Sequence, residues 1–355
     1  MGENTPKRKK GARIEVNQLD EKKKKNMLNR VLFGILIIVI CVPSAALGSW
    51  VWFALMTLFL VCAVYEIMKA PQKKYRWYVW VATYLIVFSY VYWFLLKFNV
   101  QNFLQYQKDV QIDPTASFAF SLETHFHHLS ISIYGMAFAL AIYCLWAILH
   151  EDFTWNDVMY FFLMTFLLGV GFQAMLFLRY YPFAIPLEGV DATSSLFRFG
   201  ESSTFLFYVV ITTCLNDVFA YFVGVLFGKH HINPRISPNK TWEGFIGGIV
   251  LGGLVGFGFA LLMEGVGAPI LPGFSVFKNP VALAFLLPLS FTIPLIANLG
   301  DFTFSTVKRH FGFKDYGRVL GAHGGILDRF DSLIFTSTYA SIFAVFSTTN
   351  WNFFA

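Results

Sequence analysis

The chain has 355 residues, of which 56% are hydrophobic, 19% aromatic and only 14% charged. An average soluble domain carries about 25% charged residues, and a water-soluble fold of this length cannot hide so much apolar surface. Lipid is therefore the expected solvent for most of it, and Cys41, Cys62, Cys144 and Cys214, all inside apolar runs, give no sign of a disulfide framework.

The formal net charge of +6 is unevenly spread. Residues 1–30 hold ten Lys and Arg and no aromatic residue, which predicts a disordered cytosolic tail. Such a tail reads as a topology signal, or as a contact with anionic headgroups at about 1 kcal/mol per basic residue. The basic stretch is too long for a signal peptide, and no small-residue cleavage site ends the apolar run.

A spanning helix needs about 20 mainly apolar residues. Nine candidates follow in order: 31–48, 50–68, 77–96, 129–149, 158–178, 204–227, 244–263, 281–300 and 333–347. The expected fold is an all-α, polytopic integral membrane protein. It divides into the tail 1–30, a transmembrane region of about five helices at 31–200, and a catalytic transmembrane region at 201–355. With the N-terminus in the cytosol, that face receives ten basic residues from the tail, four at Lys69–Arg76, three at Lys229–Lys240 and five at Lys308–Arg329, or 22 of the 27. The asymmetry agrees with the positive-inside rule. Loops 97–128 and 179–203 fall on the other side. Glu123, His125, His127 and His128 in the first could bind zinc, but no second ligand group has the right spacing, and a solvated loop accounts for them.

Ionisable residues at membrane depth are costly and usually functional. A first cluster runs from Asn216-Asp217 through Tyr221, one helical turn on, to Ser237-Pro238-Asn239-Lys240-Thr241-Trp242-Glu243-Gly244. Ser237-Pro238 reads as a helix start, with Ser as N-cap and Pro as first residue. Lys240 and nearby hydroxyls suit phosphate. Gly244, Gly248, Gly252 and Gly256, each four apart, predict close helix packing.

A second cluster holds Asp301, Ser305, Lys308-Arg309, Lys314-Asp315 and His323-Gly324-Gly325-Ile326-Leu327-Asp328-Arg329-Phe330-Asp331. Asp328 and Asp331 share a helix face. Carboxylates converging at a membrane surface repel unless a cation joins them, and hard oxygen ligands suit Mg²⁺. Gly324-Gly325 would let backbone N–H groups hold an anion. Lys308, Arg309, Lys314 and Arg329 supply charge for phosphate oxygens.

The run from Ser305 to Asp331 resembles the signature of phosphatidate cytidylyltransferases, and Asp217 to Gly244 is similar to the same family, together covering about residues 205–345. The basic tail and long loops look like eukaryotic members, which points to the endoplasmic reticulum. The resemblance implies transfer of CMP from CTP to phosphatidate, with release of pyrophosphate. It implies Mg²⁺, with room for a monovalent cation such as K⁺, and a homodimer in contact with membrane lipids but no nucleic acid. On the residues this assigns Asp301, Asp328 and Asp331 to the metal. Lys308, Arg309, Lys314, Asp315, His323 and Arg329 go to catalysis. Asp217, Tyr221, Ser237, Lys240, Thr241, Glu243, Gly324 and Gly325 go to nucleotide binding. The active site would face the cytosol. Three alternatives stand beside it: a CTP-dependent lipid kinase such as a dolichol kinase, a transporter coupled through Asp217 and Asp301, and a membrane scaffold.

Overall fold

A computed structural model describes residues 36–89, 91, 131–184, 203–270, 276–277, 281–317 and 324–348. The predicted tail, the histidines of 97–128, most of 179–203, Arg318 and His323 lie outside the described residues. Among the described residues there are nine helices, one at each predicted span. They are α1 (Leu36–Leu47), α2 (Ser49–Lys69), α3 (Trp77–Ser89), α4 (Ile131–Leu149), α5 (Trp155–Ala184), α6 (Ser203–Phe227), α7 (Trp242–Gly265), α8 (Val281–His310) and α9 (Leu327–Thr348). Five of them, α2, α5, α6, α7 and α8, are long and apolar enough to cross a membrane by length and composition. The protein is an all-α polytopic membrane protein. α9 carries Asp331, Ser332, Thr336 and Ser337, all buried, so its polar residues face other helices.

The glycines of α7 do what their spacing predicts. A Cβ at Gly244 would stand 2.6 Å from the Ala220 oxygen, and one at Gly248 2.8 Å from Asn216 Oδ1, so α7 lies directly on the α6 backbone. Without a hydrophobic force between helices in lipid, small residues and interhelical hydrogen bonds hold a bundle together. Thr213 donates to Thr336 at 3.1 Å, Tyr208 pairs with Ser290 at 2.7 Å, and Asn298 donates to Asn216 Oδ1 at 3.1 Å.

Two departures matter for the site. Residues 229–243 are not an open loop: β1 (His231–Asn233) and β2 (Ser237–Thr241) form an antiparallel hairpin, His231 opposite Thr241 and Asn233 opposite Ser237. Ser237-Pro238 is therefore strand, not a helix start; a two-stranded ribbon is all edge, where Pro is tolerated. The second departure is α8, which runs ten residues past its predicted end to His310. Nothing breaks it before Gly312, whose φ of 75° ends the helix. Asp301, Ser305 and Lys308 thus follow one helical face rather than a loop.

The far end of the bundle has its own anchor. Arg179, placed by the sequence at the start of a loop, is buried within α5. It donates from Nε to Ala45 O at 2.6 Å and from Nη2 to Ala46 O at 3.1 Å, capping the last carbonyls of α1.

Candidate active site

The polar residues gather at the other end, where α2, α6 and α8 finish and α5, α7 and α9 begin. Lys73, after α2, pairs with Asp157 of α5 at 2.7 Å, and Asp157 also accepts from Tyr75 Oη and from Thr154 N and Oγ1. Asp157 thus takes both the amide and the hydroxyl of Thr154 at the start of α5, and the buried aspartate welds the α2–α3 connection to it.

The hairpin delivers one side of the site. Thr241 caps α7, accepting from Gly244 N at 3.2 Å. Glu243 accepts from Lys229 N and His230 N and pairs with His230 Nδ1 at 2.6 Å. Both were expected to bind nucleotide; each already holds local backbone in place. Lys240 is different. Its ammonium forms an ion pair with Asp301 of α8 and lies 4.3 Å from the Phe302 ring centroid. Arg309 donates to Ile236 O at 3.2 Å and Phe313 O at 3.1 Å, so it fastens the hairpin turn to the end of α8.

The acidic residues divide into two groups. Asp217, Asp301 and Asp331 lie on α6, α8 and α9, three helices that pack on one another. A Cβ at Gly300 would be 2.7 Å from the Asp331 carbonyl oxygen, which shows how tightly α8 and α9 meet there. Asp301 Oδ1 accepts from Ser305 Oγ at 3.1 Å, and Asp217 Oδ1 from Asn216 Nδ2 at 3.1 Å. Asp331, 9% exposed, accepts through Oδ1 from Ser332 N at 2.7 Å; among the described residues its Oδ2 takes no hydrogen bond.

Asp328 belongs elsewhere. Its Oδ1 takes Lys308 Nζ at 2.9 Å, and its Oδ2 accepts from Tyr316 N and Gly325 N, both at 2.9 Å. The ion pair is nearly buried, with Lys308 and Asp328 side chains 10% and 7% exposed. Gly324 has φ 85°, and a Cβ there would be 2.9 Å from Asp328 Oδ2, so only glycine suits it. Burial holds the neighbouring Tyr316 phenol far above its usual range, with Tyr160 adding to the effect. The Gly325 amide, expected to be free for a substrate anion, is already occupied by the protein's own carboxylate.

Glu66 was not among the residues expected at the site. It is 1% exposed, and its two oxygens accept from Ile326 N and Leu327 N at 2.9 Å each. Its signal was available: it is the one acidic residue in the apolar run 50–68, and such residues rarely lack a task. Tyr221, Lys314, Asp315 and Arg329 are exposed on the surface.

Five carboxylates (Glu66, Asp217, Asp301, Asp328 and Asp331) meet two ammonium groups at this inner site. That excess of negative charge, and hard oxygens at Asp217, Asp301 and Asp331, suit a divalent cation. Among the described residues no group of three or more His, Cys, Asp or Glu is arranged to hold a metal ion.

Fold and site together define an integral membrane protein with an acid-lined, lysine-bearing polar site at one end of an all-α bundle. The chain belongs to the cytidylyltransferase family, whose profile matches residues 28–347. It is 38% identical over 136 residues to a phosphatidate cytidylyltransferase of Bacillus subtilis, 38% of this chain and 45% of that protein. A phosphatidate cytidylyltransferase of Mycobacterium leprae is 43% identical over 129 residues, 36% of each chain. One of Staphylococcus haemolyticus is 33% identical over 214 residues, 60% of this chain and 68% of that protein. The match thus spans less than half of the first two relatives.

Proposed function

We propose that the chain transfers CMP from CTP to phosphatidate, giving CDP-diacylglycerol and pyrophosphate in phospholipid synthesis. The observation that carries this reading is the meeting of Asp217, Asp301 and Asp331 with Lys240 and Lys308 at one end of the bundle. Family membership and the relatives' printed names support it. The acceptor is already an anionic phosphate, so no Ser or Cys nucleophile is required. An oxygen of phosphatidate bonds to the innermost phosphorus of CTP, and the bond from that phosphorus to the bridging oxygen of the outer two phosphates breaks. Work of this kind is mainly positioning and charge neutralisation. Lys308 and Lys240 hold the carboxylates in place, while Lys314 and Arg329 at the exposed rim are placed to meet outer phosphate oxygens. Asp217, Asp301 and Asp331 would hold Mg²⁺, which when bound offsets charge on the phosphate oxygens; Asp328, already saturated, serves as an anchor rather than a ligand. A monovalent cation, a homodimer, the endoplasmic reticulum and a cytosolic site are parts of the same proposal. They rest on the family resemblance and on the basic residues at the site end.

The acceptor tests it. Purified protein given CTP and Mg²⁺ should form a CDP-lipid with phosphatidate and none with diacylglycerol. Equal use of diacylglycerol, with CDP released, would favour the lipid kinase.

A further inference from the structure

We infer that Glu66 is a positioning residue for this reaction: from α2 it fixes the start of α9, and with it Asp328 and Asp331, against α8. The inference rests on the proposed function but concerns a residue far outside the motifs that suggest it. A helix leaves its first amides without intrahelical partners, and the start of α9 is buried, with Ile326 2% and Leu327 0% exposed. Glu66 supplies the missing acceptors, taking both amides at 2.9 Å. It also offsets the partial positive charge of the helix end.

The surrounding sequence leaves room for this carboxylate. A Cβ at Gly317 would stand 2.7 Å from Glu66 Oε1, and one at Gly325 2.5 Å from both oxygens. Two glycines of the signature region are thus accounted for by a side chain 250 residues away or more, not by substrate. Helix starts commonly bind phosphate; here a protein carboxylate fills that place, so the start of α9 is closed to a substrate phosphate. Next to the anchored Leu327 amide is Asp328, and one turn on is Asp331. A shift of this helix end displaces the Lys308 partner and the buried member of the acidic trio together. Tyr160 of α5 donates to Ile67 O at 2.9 Å, which steadies α2 beside the anchor.

The test uses the whole chain in lipid-supplemented detergent. Glu66→Gln and Glu66→Ala should lower kcat about 10- to 100-fold, the range expected when reacting groups shift by about 1 Å. KM for CTP should stay within about threefold, since no substrate contact is removed. Gly325→Ala should cause a similar loss alone. In the double variant with Glu66→Ala the loss should not exceed that of Glu66→Ala, because the methyl enters space the carboxylate has left. If Glu66→Ala does not fold, Glu66→Gln, which keeps one acceptor oxygen, carries the kcat test. A kcat within twofold of the wild type, a loss confined to KM, or additive losses would overturn the inference. A wild type that makes no CDP-lipid would overturn the functional reading instead. The anchor is then judged by melting midpoints of the same variants, where additivity refutes it.

Discussion

At Asp328 both carboxylate oxygens are occupied by Lys308 and two backbone amides, whereas Asp331 keeps one oxygen without a hydrogen-bond partner among the described residues. The same substitution should therefore read differently at the two positions. Asp328→Asn strands Lys308 in a nearly buried place, and breaking a buried pair costs about 3–5 kcal/mol. It should lower the melting midpoint together with activity. Asp331→Asn and Asp301→Asn should lower turnover about 100-fold or more, by analogy with removal of one preorganised charge-stabilising group, with the melting midpoint near that of the wild type for Asp331→Asn and only slightly lowered for Asp301→Asn, whose ion pair with Lys240 is about a quarter exposed. Thermal melts beside kcat separate the two classes. Equal stability for all three variants would return Asp328 to the proposed metal ligands. Asp301 and Asp331 were legible in the sequence as acids at membrane depth. What Asp328 does was not, because its partners Tyr316 and Gly325 contribute backbone amides, which leave no mark in residue identity.

Between elements, the α6–α7 contact sets Asn216 directly against the glycine stripe of α7. Gly248→Ala puts a methyl 2.8 Å from Asn216 Oδ1 and 2.9 Å from Ala220 Cβ. Overpacking of this kind costs about 1–3 kcal/mol, and it also disturbs the Asn298–Asn216–Asp217 chain. Gly258, on the same helix, faces open space: a methyl added there would meet nothing within 4 Å. Gly258→Ala should be neutral or stabilising by up to about 1 kcal/mol. Melting midpoints of the two variants check this, and a matching drop for both would show that the stripe is not a packing seam. The stripe was readable because a period of four on a helix is purely local. The hairpin was not: Ser237-Pro238 satisfies the local rule for a helix start, and only the pairing of β1 with β2 and the Thr241 cap one turn later decide otherwise. The length of α8 was underestimated for a related reason. Charge at Asp301, Lys308 and Arg309 ends an apolar run without ending a helix, and the last turns are held by Lys240, Asp328 and the hairpin backbone.

Across the whole molecule, the charge-bearing connections converge at one end while Arg179 closes the other. α7 spans 24 residues between them, about 36 Å of helix, enough to cross the hydrocarbon core. With the native cysteines replaced by alanine, single cysteines at Asn239 and Val266 should react with an impermeant reagent from opposite sides of sealed vesicles. Labelling from one side only would contradict the spanning arrangement. The central claim concerns which bond of CTP this site breaks. The most direct measurement supplies CTP labelled either at its innermost or at its outermost phosphorus, with phosphatidate and Mg²⁺, and follows the label into the lipid phase. The account predicts that the innermost label enters lipid as a CDP-lipid, with an equal amount of pyrophosphate released and the outermost label left in water. Outermost label in the lipid, with CDP in solution, would contradict it.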